Sequence, residues 1–100
     1  MNSSENMIPA HNVSNLSKRR VPHKLVFAAD ADYAQAAKVA LWRFLNVSRG
    51  IPATVQVDQA FDGDPTADIV VRTLISNAGA IQLHSTIMEQ FSFMSEPESF

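Results

Sequence analysis

The chain has 100 residues, 46% apolar and 18% charged, with a formal net charge of −2, no cysteine, three glycines and five prolines. That length and composition describe one small domain, and the missing thiols exclude a disulfide-stapled scaffold, a cysteine-ligated zinc domain and a cysteine enzyme. No apolar run approaches the ~20 residues that cross a bilayer and residues 1–20 hold no uninterrupted apolar signal core, so the expectation is a cytoplasmic protein with no membrane segment.

Charge divides the chain after Lys24. Residues 1–24 carry Lys18, Arg19, Arg20 and Lys24 against Glu5, a net +3, whereas four basic and nine acidic residues leave 25–100 at −5. Residues 1–17 are rich in Asn and Ser, and their few apolar positions follow neither a helical nor a strand period. Such a stretch does not bury enough apolar area to offset the ~1–2 kcal/mol per residue of backbone ordering. Residues 1–21 therefore read as a disordered arm with a basic end, 22–94 as the single folded domain and 95–100 as an acidic tail.

Within the domain, His23 to Ala29 reads as a first strand that Pro22 can open but not interrupt. Asp30 and Asp32 then offer helix N-caps, and Asp32 with Gln35 approximates a capping box. The helix continues to Asn46 or Ser48, where Gly50 can adopt a left-handed cap and Pro52 forbids continuation. At ~100° per residue its apolar face holds Tyr33, Ala36, Ala37, Ala40, Leu41, Phe44 and Val47, while Trp42 falls on the polar side with Val39 and Leu45 at its shoulders.

Thr54 to Phe61 alternates with period two, Asp62-Gly63-Asp64-Pro65 is a turn, and Asp68 to Ile75 is β-branched, which together make a hairpin. Residues 80–94 fit two templates. A strand places Ile81, Leu83, Ile87, Phe91 and Phe93 on one face; a helix places Ile81, His84, Ile87, Met88 and Phe91 on one arc. The Ile, Thr and Phe content favours the strand, so the fold class is α+β, one amphipathic helix on an antiparallel meander (β-α-β-β-β). The helical reading gives β-α-β-β-α, the beginning of a ferredoxin-like arrangement.

Chemistry-bearing motifs are sparse. His11, His23 and His84 lie on three different segments without the spacing of metal ligands, and Gly50, Gly63 and Gly79 are too far apart to cradle a phosphate. Asp62, Asp64, Thr66 and Asp68 alternate as in a calcium loop, but its glycine and its bidentate glutamate are replaced by Ala67 and Thr73, so turn chemistry accounts for them. No catalytic residue, metal or cofactor is expected.

Trp42 is the sharpest signal. A lone tryptophan facing outward, with Val39 and Leu45 beside it and Arg43 and Arg49 nearby, has the composition of an interface anchor within a charged rim. The leading expectation is a non-enzymatic interaction or assembly protein, a homodimer or a member of a larger complex, using the Trp42 face or a sheet edge. A nucleic-acid-associated protein contacting phosphates through Lys18, Arg19, Arg20 and Lys24 is the alternative, weakened by the acidic body. The third reading is a small ligand-binding or enzymatic cup between helix and sheet, built on Tyr33, His84 and Arg72.

Overall fold

A computed structural model of the chain describes residues 19–97. The β-branched and aromatic runs form three strands, β1 (Val21–Asp30), β2 (Ala53–Asp58) and β3 (Thr66–Ile75), and two helices, α1 (Ala31–Arg43) and α2 (Asn77–Gln90). A π-helical turn, Phe44–Ser48, extends α1. The domain is α+β with element order β-α-β-β-α. The basic arm through Lys18 lies outside the described residues.

β3 is the central strand. β1 pairs with it antiparallel on one side and β2 on the other, in the order β1-β3-β2. β1 and β2 are consequently parallel to each other, with β3 inserted between them, and α1 is the crossover that joins them. This is the split β-α-β plan of the ferredoxin-like reading, not a meander.

Period two divides the sheet into two faces. Phe27, Ala29, Val55, Ala67, Ile69 and Val71 point to one side and are buried with Ala34, Ala37, Leu41 and Leu45 from the first helical segment and Leu83 and Ile87 from α2. Both helices thus cover the same face. The opposite face carries Lys24, Val26 and Ala28 of β1, Asp68, Val70, Arg72 and Leu74 of β3, and Thr54, Gln56 and Asp58 of β2.

Helix α1 starts after Asp30, as expected, although the Asp30 side chain makes no capping hydrogen bond. Gly50 takes the positive φ, +65°, that ends the segment. The buried arc differs from the one expected: it is Ala34, Ala37, Leu41 and Leu45, whereas Tyr33, Ala36, Ala40 and Val47 are exposed. Two apolar arcs overlap on this helix, sharing Ala37 and Leu41, and the buried one is completed by Ala34 and Leu45. Past Phe44 the bonding widens, Arg49 N–H donating to the Phe44 carbonyl at 2.9 Å.

Residues 77–90 are a helix, which corrects the strand favoured from composition. The Ser76 hydroxyl accepts from the Gly79 N–H at 2.9 Å and caps its start. Packing decides the matter, because α1 leaves the β1 side of the apolar face to be covered, and α2 supplies Ala80, Leu83 and Ile87 there. Ser76→Ala should therefore cost about 1 kcal/mol, read as a lowered urea midpoint with an unchanged slope. A loss of less than a few tenths would show that the cap contributes nothing.

After α2 the chain returns beside β1, where Ala28 and Ser95 exchange backbone hydrogen bonds of 2.7 and 2.9 Å. Ser95 therefore makes an isolated bridge to β1, and Glu96 Oε1 lies 3.1 Å from His84 Nε2. Extending the antiparallel register of this bridge sets Pro97 opposite Val26, where proline has no N–H to donate. A single isolated bridge thus lies along the outer side of β1, outside the three strands.

Candidate interaction surface

The antiparallel ladder fixes which backbone groups point out of the sheet. Because Ala28 bonds outward to Ser95, the odd residues of β1 bond inward to β3, the even residues of β3 bond to β2, and the odd residues of β2 face the free edge. Asn46 provides an independent check. Its Nδ2 donates to the Ala53 carbonyl at 3.1 Å and its Oδ1 accepts from the Ala53 N–H at 3.1 Å, so its amide imitates a strand partner at the first outward residue. Among the described residues, the outward N–H and C=O groups of Val55 and Val57 have no partner.

The same Asn46 Nδ2 also donates to the Trp42 carbonyl at 3.0 Å, tying that flank of α1 to the β2 edge. Crossover geometry makes α1 run antiparallel to β2. Four helical residues span about 6 Å and two strand residues about 7 Å, so Trp42 stands level with Val55, while Val39, two ~100° steps from Leu41, is turned toward the back of the helix. Trp42 is 46% exposed and Val39 50% exposed. With Lys38 and Arg43 they line a shallow hollow of about 150 Å³. Helix flank and open strand edge form one composite surface, apolar above and hydrogen-bonding below.

The expected interface set divides on this geometry. Val39, Trp42 and Arg43 are together, with Trp42 one 100° step from the buried Leu41 and therefore on the flank of the helix, not on its back. Leu45 is wholly buried, so it belongs to the core. Arg49 sits elsewhere, its guanidinium 5.8 Å from the centre of the Phe44 ring. Phe44 in turn meets Phe91 edge-to-face at 5.6 Å, on the flank turned toward the end of α2.

Of the basic set, Lys18 is outside the described residues, Arg19 and Arg20 are exposed, and Lys24 is on the helix-free face of the sheet opposite Arg72. The trio Tyr33, His84 and Arg72 does not converge. Arg72 is on the helix-free face and hydrogen-bonds Gln56 at 3.0 Å, His84 is on α2 stacked on Phe27 at 5.1 Å, and Tyr33 is exposed at the start of α1.

Two hollows were not anticipated from the sequence. Tyr33, Ala36, Ala40 and Phe93 line an apolar one of about 380 Å³, hidden at first because Phe93 was expected in a strand. Another, about 530 Å³, lies between β1 and α2 beside His23, Leu25, Ile81 and His84. His23 Nε2 is buried there without a partner among the described residues. Asn46 was missed as well, since nothing in one sequence distinguishes an asparagine that imitates a strand from one that merely faces water.

The described residues contain no group of three or more His, Asp or Glu side chains placed to hold a metal ion, and no helix long and apolar enough to cross a membrane. No family model matches the chain, and no curated protein or solved structure matches it either.

Proposed function

We propose that this chain is a small non-enzymatic assembly protein that associates with protein through the Trp42 flank of α1 and the adjoining edge of β2. One observation carries the reading: a half-exposed tryptophan stands on the helix flank tied through Asn46 to a strand edge whose Val55 and Val57 amides are unpaired among the described residues. A bound strand would satisfy those amides, and Trp42 would exclude water over it, combining strand addition with an aromatic anchor. Sedimentation equilibrium of the full chain over a concentration series tests this. Trp42→Ala should lower the mass of the assembled species while leaving the far-ultraviolet circular dichroism unchanged. An unchanged mass accompanied by lost stability would assign Trp42 to the fold alone.

A second reading has one supporting observation. Lys24 and Arg72 are directly opposed across β1 and β3, a like-charge pair that a bound anion would relieve, and exposed Arg19 and Arg20 precede β1. Four such cations on a duplex would make binding fall about 100-fold between 50 and 200 mM salt. The Trp42 contact should change only a few-fold over that range, so a salt titration of each association separates the two. No aromatic side chain is on the helix-free face of the three strands to stack with bases.

A further inference from the structure

Building on the Trp42 reading, we infer that the occupant of the β2 edge is a second copy of this chain, its β2 antiparallel to the first in a register centred on Gln56. The edge offers two outward-facing residues, Val55 and Val57, because Ala53 is already closed by Asn46. A two-fold axis through Gln56 sets Val55 of one copy against Val57 of the other. All four free groups of each copy are then paired, with nothing left over. A register centred on Val55 instead sets Val57 against the blocked Ala53.

Side-chain chemistry agrees with this register. On the helix-free face Gln56 meets Gln56 and Thr54 meets Asp58, so no like charges oppose each other. Above the edge, Trp42 stands level with Val55, so the axis sets the two Trp42 side chains on either side of the seam, each at the level of one Val55–Val57 pair. The product is a continuous six-stranded sheet with β2 strands at its centre and an isologous interface. The other edge is only partly covered: Pro22 lacks an N–H and Ser95 occupies the outward groups of Ala28, while Lys24 places a charge along the stretch between them.

Because the chain has no cysteine, single thiols report the register directly. Gln56 faces its own copy in a non-hydrogen-bonded pair, with about 4.5 Å between Cα atoms, within disulfide reach. Under mild diamide oxidation Gln56→Cys should therefore form a covalent dimer at concentrations where the parent chain is dimeric. Thr54→Cys and Asp58→Cys should each remain uncrosslinked, yet give the mixed disulfide when combined. Adding Trp42→Ala to Gln56→Cys should reduce crosslinking at least tenfold at the same concentration.

Failure separates the two levels. A parent dimer weakened by Trp42→Ala but uncrosslinked through Gln56→Cys overturns the β2 register and leaves the Trp42 reading standing. Self-crosslinking of Thr54→Cys alone overturns the Gln56-centred axis. A parent chain that stays monomeric up to millimolar concentration overturns the second copy as occupant.

Discussion

Replacing Phe27 with alanine is expected to cost about 3–5 kcal/mol and to leave much of the chain unfolded at 25 °C. Phe27 is completely buried on β1, pairs in register with Ile69 of the central strand, and carries the His84 ring of α2 stacked on it at 5.1 Å. Its removal opens a cavity where the second helix meets the sheet. A domain of this size has a total stability near the lower end of the usual ~5–15 kcal/mol, so the loss is comparable to the whole. Urea unfolding followed by circular dichroism measures it. A shift in stability below about 1 kcal/mol would mean that α2 is not held against β1 as described.

Trp42→Ala is expected to act on association instead. An aromatic anchor of this kind contributes about 2 kcal/mol or more, which corresponds to at least a ~30-fold weaker dissociation constant. The folded monomer should lose little, because Trp42 keeps 46% of its surface exposed and sits on the flank of α1. Leu45→Ala is the informative contrast. Both residues were expected on the outward side, yet Leu45 is wholly buried and its truncation should cost about 2–5 kcal/mol of folding stability. Equal effects of the two substitutions on mass and on unfolding would erase the distinction between core and interface drawn from the geometry.

Strong local patterns were readable before the structure. The apolar run into β1, the Gly50 stop and the turn between β2 and β3 are each dictated by chemistry within a few residues, and each is formed. Asp64 shows how locally that turn is built: its Oδ1 accepts from the Thr66 N–H at 3.0 Å. Residues 80–94 fit two periods at once, and the choice between them was made elsewhere in the chain, by the half of the sheet that α1 leaves uncovered. Helix phase differs by a fraction of a turn: Ala37 and Leu41 belong to both arcs, but Ala34 and Leu45, not Tyr33 and Val47, complete the buried one.

The interaction surface was readable only in part. Trp42, Val39 and Arg43 follow from their positions around a helix, whereas the open edge beneath them depends on strand order, and the role of Asn46 depends on where Ala53 arrives. Composition and periodicity carry no information about which strand ends a sheet. Asn46→Ala provides a check on that long-range link. It removes the hydrogen bonds to both Ala53 and the Trp42 carbonyl, and should cost about 1–3 kcal/mol by leaving the Ala53 groups unpaired. A neutral substitution in thermal unfolding would show that the β2 edge is not closed there.

Trp42 is the chain's only tryptophan, so its own fluorescence reports on the surface it is proposed to bury. The most direct measurement is its emission maximum across a dilution series, set beside the mass from sedimentation over the same concentrations. Association through the α1 flank and β2 edge predicts a blue shift that rises with concentration and shares its midpoint with the change from monomer to dimer. A mass that doubles while the emission maximum stays constant would contradict it.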